Sequence, residues 1–263
     1  MRGAPGAGSP ATKPLPADRT NGMMAERPRH HPRKRFGQNF LVEPAVVQRL
    51  VACIDPQPGE RLIEIGPGLG ALTAALLERV EHLEAIEIDR DLAARLRERY
   101  PPERLTLHVG DALAFDYAAT GSDLRIVGNL PYNISSPLLF RLLDQAAAVR
   151  DIHVMLQREV VARMTASPGT SEYGRLTVML GYRFAIERLL RVPPGAFRPR
   201  PQVESAFARL TPLRDPPWRA VDEGLFRRVV AAAFGQRRKT LRNALAGLAD
   251  EALLRAAGID PGA

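Results

Sequence analysis

Between residues 46 and 156, short apolar runs alternate with segments whose apolar residues recur at helical spacing. The apolar runs predict five strands, at residues 62–65, 83–88, 105–109, 124–127 and 152–156. Helical spacing predicts an amphipathic helix at residues 46–54 and a further helix at residues 92–100. This alternation is typical of a doubly wound α/β domain with a mainly parallel sheet. Such a sheet binds ligands at the carboxyl ends of its strands, so we expect functional residues directly after these runs.

The composition changes after Arg191. The proline-rich segment Val192–Ser205 cannot form a helix and predicts an ordered loop that leads to a last strand at residues 206–210. Beyond Pro217 the pattern is helical. One helix is predicted from four apolar residues that share a face, Leu225, Phe226, Val229 and Val230. A second, strongly basic helix is predicted from QRRKTLRNAL at residues 236–245. We therefore expect an α/β domain at residues 31–211 and a small helical domain at residues 212–263.

Residues 1–30 are rich in Gly, Pro, Ala and Ser and show no apolar periodicity, so we expect a disordered tail. Met23 and Met24 lie near the end of this tail, and we offer the hypothesis that natural translation starts there. A transit peptide is the alternative, but the prolines disfavour the amphipathic helix that it requires.

The chain of 263 residues has a formal net charge of +8, which favours a polyanionic partner such as nucleic acid. A single cysteine, Cys53, excludes an internal disulfide, and the Cys and His spacing matches no zinc site, so no metal is expected. No apolar run reaches membrane-spanning length. We expect a cytoplasmic monomer that does not bind membranes.

A glycine-rich turn, EIGPGLGAL at Glu64–Leu72, follows the first predicted strand. Gly66, Gly68 and Gly70 occupy alternate positions, whereas the dinucleotide fingerprint has its third glycine one residue later. Glu64 would repel a pyrophosphate but suits a ligand that carries an ammonium group. On its own such a turn is weak evidence, because glycines there often serve only tight packing.

Three carboxylates lie at or just beyond the ends of the next two strands. Glu87 and Asp89 lie where a carboxylate can bind both hydroxyls of a ribose, and residue spacing alone does not decide between them. Asp111 follows the third strand and could accept a hydrogen bond from an adenine amine. Each acid alone is more typical of a solvated loop. As an ordered set they predict a pocket for an adenosine joined to an amino acid, which is S-adenosylmethionine.

The segment GNLPYNISSPLL at residues 128–139 follows the fourth strand. The amide oxygen of Asn129 and the carbonyl of Leu130 can accept hydrogen bonds from an amine, and Tyr132 can stack on a flat ring. Taken alone, the segment is typical of an ordinary loop between a strand and a helix. Next to a methyl donor it predicts a clamp for a ring amine. Methyl transfer is an in-line displacement, so positioning and desolvation should supply most of the catalysis.

Further predictions concern the residues around this clamp. Ser136 followed by Pro137 predicts an N-cap and the first residue of the next helix. Phe197 is a candidate for the opposite face of the bound base, although a core aromatic is an equally good interpretation. A base held between two rings must be unpaired or flipped out of its helix. Two basic clusters could contact phosphates, although each alone is more often a solvated surface: Arg33, Lys34, Arg35, and Arg237, Arg238, Lys239, Arg242.

Nine motifs occur in the order of one enzyme family: KRFGQNFL, EIGPGLGALT, IEIDRDL, GDAL, GNLPYNISSPLL, LQREV, YGRL, PPGAFRPRPQVES and FGQRRKTLRNAL. With them, residues 33–261 resemble the ribosomal RNA adenine N6-dimethyltransferase family, most closely its KsgA branch. The resemblance implies a Rossmann-like class I methyltransferase domain with a small C-terminal all-helical domain. It further implies dimethylation of two adjacent adenines in the 3'-terminal hairpin of 16S rRNA in the immature small ribosomal subunit, with a role in ribosome biogenesis.

On matching positions the resemblance implies that six residues contact S-adenosylmethionine: Asn39, Leu41, Gly66, Glu87, Asp111 and Asn129. Asn129, Leu130 and Tyr132 would present the target amine, and Phe197 would stack on the base. The resemblance prefers Glu87 to Asp89 for the ribose and assigns Gln38 and Asn39 to a lid over the cofactor. Family members usually continue beyond the GIDP motif, so a chain that stops at Ala263 implies a shorter helical domain. The alternatives are the related large-subunit dimethyltransferase, which confers antibiotic resistance, and an RNA-binding assembly factor.

Overall fold

The computed structural model describes residues 38–216, 218–236 and 238–262. Several predictions lie outside these residues: the N-terminal tail, the translation start at Met23 or Met24, the cluster Arg33, Lys34 and Arg35, and Arg237. Within the described ranges, no helix is both long enough and apolar enough to cross a membrane.

The strands and helices follow one another along the chain as follows: β1 (Phe40–Leu41), α1 (Pro44–Ile54), β2 (Leu62–Ile65), α2 (Ala71–Leu77), β3 (Leu83–Glu87), α3 (Arg90–Arg99), β4 (Leu105–Val109), α4 (Tyr117–Thr120), β5 (Leu124–Asn129), α5 (Ser135–Asp144), β6 (Val149–Gln157), α6 (Arg158–Met164), α7 (Arg175–Gly181), β7 (Phe184–Val192), β8 (Phe197–Arg198), β9 (Ser205–Pro212), α8 (Glu223–Gly235), α9 (Leu241–Ala244) and α10 (Glu251–Ala256). Short 3-10 turns lie at Ala146–Ala148 and Pro194–Ala196.

Seven strands form one sheet in the order β4-β3-β2-β5-β6-β9-β7. The first five are parallel, whereas β9 runs antiparallel to both β6 and β7. The prediction of a mainly parallel α/β domain is confirmed, and each of the six predicted strands corresponds to a strand of this sheet. The strand order reverses between β2 and β5, where Ile65 lies opposite Gly128. A ligand site is therefore expected where these two strands end.

The core lies on both faces of the sheet, as a parallel sheet covered by helices requires. On β2, Leu62 and Ile63 point to opposite faces and belong to different core clusters. One cluster contains Leu138 and Leu142 of α5. The other contains Leu50 of α1 and Leu76 of α2. This packing holds the ends of β2 and β5 in place.

Strand β7 was not predicted from the sequence. It lies at the edge of the sheet, and its pairing with β9 shifts register between Arg188 and Leu190. A register shift of this kind moves later side chains to the other face, which interrupts the period of two that identifies a strand. The strand forms because β9 completes its backbone hydrogen bonds, and no local pattern encodes that pairing.

The predicted helix after Pro217 corresponds to α8. Val230 is buried, and Phe226 and Phe234 pack against the same core cluster as α5. Leu225, predicted on the apolar face, is instead 41% exposed. The predicted basic helix is too long, because α9 covers only Leu241–Ala244 and Thr240 is its N-cap. The domain boundary at residue 212 stays a prediction.

Candidate active site

A cleft of about 300 Å³ lies at the carboxyl ends of the parallel strands. It is lined by residues that directly follow β2, β3, β4 and β5, and by the segment that contains β1. The lining residues are Gln38, Asn39, Phe40, Ile65, Gly66, Gly68, Ile86, Glu87, Ile88, Leu92, Gly110, Asp111, Ala112, Asn129, Leu130, Pro131, Tyr132, Asn133 and Ile134. The cleft thus combines the predicted glycine turn, two of the predicted carboxylates and the predicted clamp.

The glycine turn brings its backbone close to neighbouring groups. Gly68 has a φ of +58°, and a Cβ there would lie 3.0 Å from the ring of Phe40. The same residue donates its N–H to Glu87 Oε2 at 3.1 Å. A side chain at residue 68 would therefore be strained and would push Phe40 away from the cleft.

Glu87 lies at the end of β3 and is only 4% exposed. Besides the Gly68 N–H, it accepts the N–H of Asp89 at 2.9 Å. Burial raises the pKa of Glu87, while these backbone hydrogen bonds oppose the rise. The two donors fix the orientation of the carboxylate at the cleft wall, where it can accept hydrogen bonds from a ligand.

Asp89 lies outside the cleft, unlike Glu87. The structure therefore distinguishes the two acids, which residue spacing could not. Asp89 is fully buried, caps α3 by accepting the N–H of Asp91 at 3.0 Å, and also accepts Nε2 of Gln38 at 3.2 Å. It is not among the residues that line the cleft. Asp89 therefore holds α3 and the β1 segment in position, and Glu87 is the acid that a ligand can contact.

Glu64 lies beside the cleft. It is buried on β2 and accepts the hydroxyl of Thr73 at 2.6 Å. Burial raises the pKa of Glu64 to about 7, and the nearby charge of Glu87 acts in the same direction. Asp111, by contrast, is exposed in the cleft and accepts the N–H of Leu113 at 2.9 Å. This bond orients the Asp111 carboxylate at the end of β4.

The clamp begins at Asn129, the last residue of β5. Asn129 donates from Nδ2 to the backbone carbonyl of Asn39 at 2.8 Å, so its amide oxygen is the group that it can offer to an amine. Leu130 is buried and donates its N–H to the carbonyl of Met155 at 3.1 Å. The hydroxyl of Tyr132 lies 2.7 Å from that of Ser205. The two ends of the clamp, Asn129 and Tyr132, are therefore hydrogen-bonded to residues that are distant in the sequence.

The start of α5 differs from the prediction. The helix begins at Ser135 with Ile134 as its N-cap, so Ser136 is not the cap and Pro137 is not the first helical residue. The chain turns at Pro131, whose carbonyl accepts both the N–H of Ile134 and the hydroxyl of Ser135. These two bonds begin the helical turn two residues earlier than predicted.

Of the predicted site residues, Asn39, Gly66, Glu87, Asp111, Asn129, Leu130 and Tyr132 line one cleft. Leu41 and Phe197 do not. They face each other across the antiparallel pair β1–β8, and both are buried in the same core cluster. Phe197 is 0% exposed, so in this structure it occupies a core position, and contact with a base would require the loop that carries it to move.

Sequence reasoning missed the apolar wall of the cleft, which is formed by Phe40, Ile86, Ile88 and Leu92. Their positions beside Asn39 and Glu87 are the signal that could have identified them. Of the predicted phosphate contacts, Arg238 and Lys239 are exposed, and Arg242 is paired with Glu251 at 3.3 Å. In the described part of the chain, no group of His, Cys, Asp or Glu side chains could hold a metal ion.

Comparison with known proteins gives consistent matches. The family model described as ribosomal RNA adenine dimethylase matches residues 29–262. The chain is 62% identical to ribosomal RNA small subunit methyltransferase A of Aromatoleum aromaticum, over 89% of this chain and 88% of that protein. It is 63% identical to the protein of the same name in Thiobacillus denitrificans, over 89% of this chain and 91% of that protein.

Two solved structures share the fold along most of the chain. A dimethyladenosine transferase from Plasmodium falciparum is 26% identical with a TM-score of 0.70, covering 82% of this chain and 77% of that chain. The 23S rRNA methyltransferase ErmE is 27% identical with a TM-score of 0.67, covering 86% of this chain and 92% of that chain. The predicted Rossmann-like methyltransferase fold is confirmed.

Proposed function

The chain belongs to the ribosomal RNA adenine dimethylase family, and we propose that it transfers methyl groups from S-adenosylmethionine to N6 amines in 16S rRNA. The targets are two adjacent adenines in the 3'-terminal hairpin, in an immature small ribosomal subunit, and the modification contributes to ribosome biogenesis. The observation that carries the proposal is the shared cleft, in which the Asn129–Tyr132 clamp lies next to Glu87 and the glycine turn.

The charges of the cleft support this cofactor over a dinucleotide. Among the described residues that line it, two are carboxylates, Glu87 and Asp111, and none is Lys, Arg or His. A diphosphate would meet no counter-charge there, whereas a sulfonium and an ammonium group are compatible with nearby acids. Glu87 would bind the ribose hydroxyls, Asp111 the adenine amine, and Asn39 and Gly66 would contact the cofactor through the walls of the cleft.

When bound, the cofactor supplies an electrophilic methyl group. The chain's own residues orient the nucleophile: the amide oxygen of Asn129 and the carbonyl of Leu130 accept the two N–H bonds of the target amine. This geometry directs the nitrogen lone pair out of the ring plane, towards the methyl carbon. Tyr132 stacks on the base and excludes water. The methylated amine is acidic enough to lose its proton to water, so no stronger base is needed.

The identities support the small-subunit RNA as substrate. The two proteins named above for the small subunit are 62% and 63% identical to this chain, whereas the 23S rRNA methyltransferase ErmE is 27% identical. We further propose that the exposed side chains of Arg238 and Lys239 contact RNA phosphates, and that the protein acts as a monomer.

The test is to incubate the protein with labelled S-adenosylmethionine and immature small subunits that lack adenine dimethylation, and then to map the label. We expect label on the N6 atoms of two adjacent adenines near the 3' end of 16S rRNA. Purified large subunits are the matched control. No label, or label on large-subunit RNA alone, would contradict the proposed function.

A further inference from the structure

Ser205 contacts the clamp from outside the cleft. Its Oγ lies 2.7 Å from the hydroxyl of Tyr132, although the two residues are 73 positions apart in sequence. Ser205 is fully buried and does not line the cleft. It is the last residue of the PPGAFRPRPQVES motif, and the proposed chemistry makes no other use of it.

The backbone of Ser205 is fixed on both sides. It is the first residue of β9, where it pairs with Gln157 of β6 and with Val192 of β7. The preceding residue, Glu204, accepts the N–H of Arg158 at 2.9 Å, which continues the connection to the end of β6. The hydroxyl is therefore presented from a strand with a neighbour on each side, and not from a mobile loop.

Tyr132 needs such an anchor because it lies on the short loop between β5 and α5. Its backbone is restrained by the adjacent Pro131, whose carbonyl accepts the Ser135 hydroxyl at 3.1 Å. The tyrosine ring itself still has two side-chain torsions. A hydrogen bond at the far end of the ring fixes the position of the hydroxyl oxygen and so restrains χ1, the torsion that moves the whole ring. Because that oxygen lies on the χ2 axis, the bond restrains χ2 only through the preference of a phenolic O–H for the ring plane.

The contact is half-shielded from water. Tyr132 is partly buried, and burial raises the pKa of its hydroxyl. The phenol therefore stays neutral at physiological pH and can donate or accept the bond with Ser205. A neutral hydrogen bond in such a place contributes about 0.5–1.5 kcal/mol, which corresponds to a factor of about two to ten in a rate.

We propose that Ser205 is a positioning residue for methyl transfer, because its hydroxyl holds the Tyr132 ring in the place where the target adenine stacks. This inference rests on the proposed function of the Asn129–Tyr132 clamp. It gives the antiparallel strand β9 a role at the cleft without any contact between Ser205 and the substrate.

The test is a double-mutant cycle of Ser205→Ala and Tyr132→Phe, with methylation of small subunits as the readout. Each single substitution should lower kcat about twofold to tenfold, because each removes the same bond. The KM for S-adenosylmethionine should not change. Ser205→Ala in the Tyr132→Phe background should have almost no further effect. An equal loss from Ser205→Ala in both backgrounds would overturn the inference.

A second measurement reads the ring directly. With labelled tyrosine, Ser205→Ala should change the NMR signals of Tyr132 and broaden its distribution of χ1 angles, while the other tyrosines are unchanged. Thermal unfolding of each variant separates a loss of positioning from a loss of fold. If Ser205→Ala does not fold, Tyr132→Phe still removes the bond from the loop side. Wild-type kcat together with unchanged Tyr132 signals in Ser205→Ala would also contradict the inference.

The failure of the inference is distinguishable from that of the proposed function. Wild-type protein that leaves small-subunit RNA unmethylated contradicts the function before any variant is made. Active wild-type protein with a fully active Ser205→Ala variant contradicts only the role of Ser205.

Discussion

Nδ2 of Asn129 donates to the backbone carbonyl of Asn39 at 2.8 Å, across 90 positions of sequence. The bond connects the residue proposed to hold the target amine with the segment proposed to cover the cofactor. Because the bond holds the Asn129 amide nitrogen against Asn39, it orients the side chain, and the amide oxygen on its other branch is the acceptor that Asn129 can offer to the substrate amine. The position of Asn39, just before β1, and the orientation of the Asn129 amide oxygen therefore depend on each other.

Asn129→Ala should reduce kcat for methyl transfer roughly tenfold to a thousandfold, the effect of losing one positioned contact in a transition state. Binding of the ribosomal RNA should be largely kept, because the proposed phosphate contacts, Arg238 and Lys239, lie elsewhere in the chain. Single-turnover methylation and filter binding measure the two effects separately. Equal losses of rate and of RNA affinity would contradict the role given to Asn129.

Glu87→Ala should weaken binding of S-adenosylmethionine about tenfold to a hundredfold, as expected for the loss of hydrogen bonds to a charged group. Asp89→Ala is the matched control. It removes the N-cap of α3 and should lower the free energy of unfolding by about 1 kcal/mol, with a smaller effect on affinity. Calorimetric titration and urea unfolding of both variants distinguish the two roles. A larger loss of affinity in Asp89→Ala would reverse the assignment.

The free energy of unfolding should decrease as the pH rises from about 4.5 to above 7 through the titration of Glu64. The folded-state pKa of about 7 lies above the value of 4.5 without burial, so the folded protein binds more protons in this window. Ionising the buried carboxyl should cost roughly 3 kcal/mol. Glu87, whose pKa is also raised, acts in the same direction.

Urea unfolding at several pH values measures this dependence, and Glu64→Gln is the matched variant. Gln keeps an oxygen for the Thr73 hydroxyl but does not titrate, so the variant should lose much of the slope. Parallel pH curves for the wild type and the variant would show that Glu64 does not titrate in this window.

Arg125→Ala should destabilise the fold by about 3 kcal/mol, because it removes a buried guanidinium that pairs with two partly buried carboxylates, Glu60 and Asp151. The Arg125 side chain is buried and donates to Glu60 Oε2 at 2.6 Å, to Asp151 Oδ1 at 3.0 Å and to the carbonyl of Ile54 at 2.6 Å. It thereby connects the end of α1 with β6 at the end of the sheet opposite the cleft.

The control is Arg150→Ala. Arg150 contacts the same Glu60 at 2.6 Å but is exposed, so its loss should cost only about 0–1 kcal/mol. Chemical unfolding of both variants gives the comparison. Similar free energies of unfolding for the two variants would show that the burial of Arg125 does not increase its contribution to stability.

Arg238→Glu together with Lys239→Glu should weaken RNA binding and reduce the slope of log K against log salt by about one per lost phosphate contact. The affinity for S-adenosylmethionine should not change, because the cleft lies elsewhere. RNA binding measured at several salt concentrations provides the test. An unchanged slope would mean that these side chains do not contact phosphates.

Much of the site could be predicted from the sequence because strands and glycine turns are local patterns. A strand of a parallel sheet places its last residue and the next ones at a known edge, so Gly66, Glu87, Asp111 and Asn129 could be assigned to one cleft from their places at the ends of four strands. The same reasoning identified six of the seven strands of the large sheet. It missed β7, since a register shift interrupts the alternation on which such predictions depend.

The residues that the sequence left open were decided by long-range packing. Residue spacing makes Asp89 and Glu87 equally good candidates for binding a ribose. In the folded chain, Asp89 caps α3 and Glu87 lines the cleft. Phe197 could have been a stacking or a core residue, and its pairing with Leu41 places it in the core. The bond between Ser205 and Tyr132 could not be predicted at all.

The sequence by itself determined the fold class, the location of the cleft and most of the residues that line it, because hydrophobic periodicity and turn chemistry act over a few residues. Only the tertiary structure decided that Glu87 lines the cleft while Asp89 caps a helix, that Phe197 is buried, and that Ser205 contacts the clamp. These contacts depend on the order in which the strands pair. That order brings together side chains that are far apart in the sequence, so no local sequence pattern predicts them.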